Sequence, residues 1–224
     1  MRALACYDHT VKALLDELAV IVAAARLRKL RLAVIGACAL RTYLSSPDRR
    51  TSVDADVLIT TDGLASLEAL LVERGYRVYD LGAWHRAERN ADRLVIDIAV
   101  DRIVDVRSFQ PYMIAWEAVT ERASLPVPRI EDLLAQKLVS AREKDLLDVL
   151  LVASDASIPV SANGFGEAVE SNDVEVPVAR GLLEAQAAVQ SGRMAQLWTE
   201  RFGEAPGRAL DIALERLMLW KEKL

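Results

Sequence analysis

Residues 52–61 read SVDADVLITT, and residues 93–101 read RLVIDIAVD. In the first stretch Val53, Ala55 and Val57 alternate with Asp54, Asp56 and Leu58, the period-two pattern of a strand with one buried face. Side chains two apart on a strand share a face, so Asp54 and Asp56 stand side by side. Two like charges that close are costly unless a cation lies between them. The second stretch is a strand of Leu94, Val95, Ile96, Ile98, Ala99 and Val100 interrupted by one acid, Asp97. A carboxylate inside a buried strand needs a partner to remain ionised. If the two strands are neighbours, the three acids gather at one place. An oxygen-only donor set with positions left for water and phosphate suits magnesium. An isolated Asp-x-Asp pair is usually a turn or a solvated edge, so its surroundings decide the reading.

Upstream, Leu32–Ile35 forms a short apolar strand that turns at Gly36 and continues as a helix from about Ala37. Backbone N–H groups at such a strand–glycine–helix turn can cradle a phosphate, and glycine permits close approach. Before it, Val11, Leu14, Leu15, Leu18, Ile21 and Val22 recur at helical spacing, which predicts an amphipathic helix over 8–28. Its basic tail, Arg26, Arg28, Lys29 and Arg31, suits the negative end of a helix dipole; a polyphosphate or RNA contact is the alternative. SSPDRR, 45–50, reads as a loop.

Downstream, a helix over 64–74 and a strand over 76–81 are expected, then the Asp97 strand and a mixed connecting segment over 108–120. His85 falls in a surface loop, with a base or acceptor contact as the sharper alternative. Pro126 and Pro128 punctuate a boundary. Beyond it the pattern is helical: 130–140, 143–154, then a loop carrying Pro159, Asn163, Gly164 and Gly166, then helices near 177–190, 193–201 and 206–222. Strands interleaved with helices, followed by helices alone, predict a mixed α/β (α+β) fold. Its small sheet core occupies 1–125 and a helical region 126–224. Trp116, Trp198 and Trp220 lie among apolar neighbours and read as packing residues.

Composition narrows the function classes. The formal charge of -5 over 224 residues argues against a broadly basic nucleic-acid surface, though not against a local patch. No apolar stretch is long enough to span a membrane, and no secretory leader is visible. The two cysteines, Cys6 and Cys38, are far apart and read as free thiols in a reducing cytoplasm. With two histidines and scattered cysteines there is no zinc spacing.

Taken together, IGACAL, RRTSVDADVLI, VIDIAV and PRIEDLLAQKLVSAREKDLLDVLLV resemble the nucleotidyltransferase superfamily. More narrowly, they resemble the AbiEii-type toxins of bacterial toxin–antitoxin and phage-defence systems and their relatives. The resemblance covers roughly residues 30–152. It implies a nucleoside triphosphate as donor, Mg2+ as cofactor, and an acceptor hydroxyl on RNA such as a tRNA 3′ end, on protein or on a small molecule. It also implies a cognate antitoxin as partner. Asp54 and Asp56 fall on the two metal ligands and Asp97 on the third acid, which either binds a second metal or draws the proton from the acceptor hydroxyl; Gly36 falls on the first glycine of the turn. Ala37 stands where the family has Gly or Ser, so the hydroxyl is absent and the backbone N–H remains. Arg50 and Ser52 fall on the Arg-x-Ser/Thr element. Lys137 falls on a helical lysine that would reach the cleft and hold the triphosphate. Asp148 falls on the downstream acid, with Asp145 as a rival, and would orient Lys137 or Arg50. Read without the family, the charges around Lys137 and Asp148 are a salt-bridge-laced helix surface. A nucleotide-binding or protein-interaction module without turnover is the alternative function.

Overall fold

The computed structural model describes residues 2–47, 52, 54–105 and 109–224, with side chains from residue 12 onward. Arg50, expected among the phosphate contacts, lies outside the described residues. The chain divides into two compact units, each with its own core. The first comprises 1–42, 50–104 and 113–128, and the second 43–49, 105–112 and 129–224.

The first unit is built on a five-stranded mixed sheet. Its elements are α1 (Arg2–Leu27), β1 (Leu32–Ile35), α2 (Gly36–Arg41), β2 (Asp54–Ile59), α3 (Thr61–Glu73), β3 (Arg77–Asp80), β4 (His85–Arg89), β5 (Leu94–Val100) and β6 (Ile103–Val104). The spatial order is β1-β2-β5-β4-β3. β2 and β5 run parallel, and the other pairs are antiparallel. One face is largely apolar: Ala55, Val57, Ile59, Ala87, Ile96 and Ile98 are buried. Leu14, Leu18, Ile21 and Val22 of α1 and Leu67, Leu70 and Leu71 of α3 are buried at helical spacing. The opposite face carries Asp54, Asp56 and Asp97, all half-buried.

The basic tail of α1 is engaged locally. Arg28 meets Glu73 of α3 at 2.6 Å and Arg26 meets Glu121 at 2.9 Å. Deeper in, Glu17 of α1 accepts from Arg74 at 2.7 and 2.8 Å and from Arg89 of β4 at 2.9 Å. One carboxylate thereby ties helix, turn and strand together.

Three segments differ from the sequence expectation. His85 opens β4 rather than lying in a loop: HRAER buries only Ala87, so its apolar alternation is too thin to announce a strand. A hairpin of β8 (Thr120–Arg122) and β9 (Leu125–Val127) runs across the expected boundary, so Pro126 sits inside a strand. Its turn residues, Ala123 and Ser124, both take positive φ (47° and 64°), the conformation of a tight hairpin turn without the usual Asn-Gly signature. The third difference lies in the second unit. That unit contains β7 (Pro111–Tyr112), α4 (Ile130–Ser140), α5 (Glu143–Ser154), α6 (Ala162–Glu170), α7 (Glu175–Gln190), α8 (Arg193–Phe202) and α9 (Ala209–Lys221).

The stretch expected to be a loop at Asn163, Gly164 and Gly166 is α6. Ser161 caps it, its hydroxyl accepting from the Gly164 N–H at 3.1 Å, and Phe165, Ala168 and Val169 form its buried stripe. At Gly166 a Cβ would lie 3.0 Å from the Lys223 carbonyl oxygen, so this glycine serves a close approach rather than a break. Phe165 packs on Trp220 at 5.6 Å and Trp198 on Phe202 at 4.9 Å, placing both tryptophans in the helical core.

Candidate active site

The register of the sheet assembles the acids. Asp56 of β2 is paired directly with Asp97 of β5, and Asp54 with Val95. Directly paired residues point to the same face, and Asp54 shares it by spacing. Arg86 of β4 is paired in turn with Asp97, and Glu88 with Val95. The open face thus carries four carboxylates and one guanidinium within three adjacent strands.

β1 and its turn close one side. Ile35 pairs with Asp56, and Gly36 follows with φ +63°. A Cβ on Gly36 would stand 2.1 Å from Asp56 Oδ2, so the turn approaches the carboxylate as closely as a bare α-carbon allows. Ala37 is buried next to it, and the Cys38 thiol donates to the Asp54 carbonyl at 3.7 Å. The Ser52 hydroxyl donates to Asp54 Oδ1 at 2.6 Å, fixing the first carboxylate. Gly36, Ala37, Ser52, Asp54, Asp56 and Asp97 are therefore brought together in the first unit.

Arg86 was not anticipated. Its guanidinium grips Asp97 with both arms, Nε to Oδ1 at 2.7 Å and the terminal nitrogen to Oδ2 at 3.0 Å. The hydrogen bond to Asp97 raises the guanidinium above its ordinary value against the opposing effect of burial, with Asp97, Glu88 and Asp54 adding attraction. The signal was available: a lone acid in an apolar strand asks for a cation, and Arg86 is a basic residue not far ahead of it. His85, one residue away, points to the packed face, its Nδ1 3.0 Å from Glu68 Oε1 of α3.

A magnesium site has to be judged on these donors. Among the described residues no three carboxylate, imidazole or thiolate side chains form a group able to hold a metal by themselves. What stands on the face is a pair, Asp54 and Asp56, with Asp97 held by Arg86. A carboxylate pair fits magnesium, which keeps several waters and completes its shell with substrate phosphates. It does not fit an all-protein cage.

Lys137 and Asp148 meet in the second unit. Lys137 Nζ lies 2.5 Å from Asp145 Oδ1 and 2.9 Å from Asp148 Oδ2, so both candidate acids hold it. Asp145 also accepts from Ser140 at 2.8 Å and from Arg142. All three residues are buried, Asp145 completely. Burial alone would push the Asp145 carboxyl up, yet Lys137 and Arg142 hold it at about 2. Burial opposes the Lys137 charge, and the two aspartates raise it above its ordinary value. The left-handed Ala141 (φ 46°) makes the tight α4–α5 corner that permits this convergence.

No family model matches the chain, and no curated protein does. Solved structures similar to it include nucleotidyltransferases. The antibiotic-resistance factor ANT(2'')-Ia is 19% identical, covering 77% of this chain and 92% of its own, with a TM-score of 0.45. JHP933 from Helicobacter pylori is 13% identical, covering 97% and 91%, with a TM-score of 0.49. An antigenic nucleotidyltransferase-like protein from Paracoccidioides brasiliensis is 13% identical, covering 88% and 91%, with a TM-score of 0.33.

Proposed function

We propose that the chain is a magnesium-dependent nucleotidyltransferase that moves the nucleotidyl group of a nucleoside triphosphate onto an acceptor hydroxyl. The observation that carries this reading is the meeting of Asp56 with Gly36 on one side and Asp97 on the other, with Asp54 beside them on one open sheet face.

Asp54 and Asp56 would hold the cation, and the Ser52 hydroxyl fixes the Asp54 carboxylate through Oδ1. When bound, magnesium neutralises charge on the phosphates of the donor. The amides of Gly36 and Ala37 offer backbone donors to those phosphates, and Gly36 keeps the approach open. The acceptor oxygen attacks the α-phosphorus in line, the bond to the bridging oxygen breaks, and pyrophosphate leaves. The hydroxyl proton passes to Asp97, whose oxygens each keep a lone pair beyond the Arg86 contact. Positioning and charge stabilisation supply most of the catalysis in such transfers. Lys137 and Asp148 enter this reading as the buried brace of the α4–α5 corner.

The engagement of Arg26 and Arg28 with Glu121 and Glu73 leaves fewer cations for an RNA backbone and supports a protein or small-molecule acceptor. A toxin role rests on the resemblance of the sequence. Growth arrest on expression, relieved by Asp54→Ala, is its expected sign.

The direct test is label transfer with each α-labelled nucleoside triphosphate, magnesium, and cellular RNA, protein or small hydroxyl compounds. Transfer lost in Asp54→Ala/Asp56→Ala supports the enzyme. A binding module without turnover is favoured by one observation, the enclosure of the Lys137 ammonium between two aspartates. Thermal stabilisation by magnesium and nucleotide without transfer to any acceptor would select it.

A further inference from the structure

Three carboxylates on one sheet face leave open how many cations the face takes and what the third acid does. The geometry answers through Arg86. Asp56 and Asp97 are cross-strand neighbours, yet both oxygens of Asp97 are gripped by Arg86, at 2.7 and 3.0 Å. A bidentate guanidinium–carboxylate pair fixes the plane of the acid and neutralises it. The pair is half-buried, with 21% of the Asp97 side chain and 38% of the Arg86 side chain exposed, so solvent competes for it only partly. Glu88 and Asp54 also attract the Arg86 charge. A cation seated on Asp97 would stand against that guanidinium.

We propose that Arg86 is a positioning residue that keeps Asp97 out of the metal's coordination shell, so that the site takes one divalent cation, on Asp54 and Asp56, and not two. This rests on the nucleotidyltransferase reading of the same face. The third acid is then reserved for the acceptor, oriented by a fork that holds it at a fixed angle to the metal pair. The local charge a second ion would supply is supplied permanently by Arg86.

The test counts bound Mn2+ on the full chain by the loss of the free-ion electron paramagnetic resonance signal. Wild type is expected to bind one Mn2+. Asp97→Asn should also bind one, with a dissociation constant changed by less than about threefold, whereas loss of a ligand or its support costs about 10- to 100-fold. Asp54→Asn should lose the site. Arg86→Gln should gain a second Mn2+ by releasing Asp97, and Arg86→Gln/Asp97→Asn should return to one. A purely structural arginine would not move that count. If Arg86→Gln does not fold by circular dichroism, Arg86→Lys takes its place, since a single ammonium cannot grip both oxygens; its second ion should bind more weakly. Two ions on wild type, a tenfold loss in Asp97→Asn, or one ion on a folded Arg86 variant would each overturn the proposal. Absence of Mn2+ binding to wild type, with or without a non-hydrolysable triphosphate, would overturn the parent reading as well.

Discussion

Gly36 and Asp56 occupy a space with room for only one side chain: a Cβ on Gly36 would lie 2.1 Å from Asp56 Oδ2 and 2.9 Å from its Cγ. Gly36 also holds φ +63°, which L side chains rarely adopt. Gly36→Ala must therefore displace either the turn or the carboxylate. The backbone strain alone costs about 1–3 kcal/mol, visible as a lower midpoint in urea. Displacement of Asp56 should in addition remove the thermal stabilisation that magnesium and nucleotide give the wild type. A Gly36→Ala chain that keeps the full stabilisation would show that Asp56 is not a ligand.

The buried group Lys137, Asp145 and Asp148 predicts a pH signature. The folded-state value of Asp145, about 2, lies below its ordinary 3.8. A carboxylate shifted downward contributes stability that is fully present above its unfolded value and is lost as pH falls through its folded one. The contribution should therefore hold at pH 5 and fade between about pH 4 and pH 2. Urea midpoints of wild type and Asp145→Asn should differ clearly at pH 5 and converge near pH 2. A constant gap across that range would assign the effect of Asp145→Asn to packing rather than charge. Lys137→Met is the harsher change: it leaves two buried carboxylates without their shared cation and should cost about 3–5 kcal/mol.

The parts of the site visible in sequence are those with strong alternation. β2 and β5 announce themselves because Ala55, Val57, Ile96 and Ile98 are apolar on one face while Asp54, Asp56 and Asp97 stand on the other. The adjacency of the two strands, and hence the pairing of Asp56 with Asp97, is a long-range fact that no local pattern encodes. β4 escaped because His85, Arg86, Glu88 and Arg89 are all polar, so Arg86 escaped with it. α6 escaped for the opposite reason: Asn163, Gly164 and Gly166 are poor helix formers taken singly, but the burial of Phe165, Ala168 and Val169 and the Ser161 cap outweigh propensity. Both helices around Lys137 were legible, but the enclosure of its ammonium depends on Ala141 turning the chain left-handed, which alanine does not advertise.

Glu17 is the tie that positions the sheet beneath the site. It receives three hydrogen bonds from Arg74 and Arg89, and chiefly the Arg74 bond holds its carboxyl below the ordinary range. Arg89 in turn lies 4.8 Å from the centre of the Tyr76 ring. Glu17→Gln preserves size but removes the charge from two guanidinium partners, and should lower stability by about 2–4 kcal/mol. Because Arg89 belongs to the strand that carries Arg86, hydrogen exchange should accelerate across β4 more than across β1. Uniform acceleration would instead indicate a global loss without local coupling.

Arg216 of α9 predicts the cost of a substitution in the second unit. Its guanidinium donates to the carbonyls of Ala153 at 3.2 Å, Asp155 at 2.8 Å and Ile158 at 2.8 Å, groups at and beyond the C-terminus of α5. Those carbonyls include the acceptors a helix end leaves without an intrahelical partner, and the cation also suits the negative end of the dipole. Burial lowers the guanidinium below its ordinary value, yet arginine remains charged at any pH the fold survives. Arg216→Met keeps much of the apolar stem against Trp220, 5.7 Å from the guanidinium carbon, and removes every donor. The Asp155 and Ile158 carbonyls keep backbone partners in the Ile158 and Val160 N–H groups, at 3.2 and 3.0 Å, so the loss falls chiefly on the end of α5 and should come to about 1–3 kcal/mol. Arg216→Lys restores the charge but not the fan of donors, and should recover less than half of the loss. Recovery of the whole loss by lysine would mean that charge at the helix end, rather than the spread of hydrogen bonds, is what holds α5 to α9.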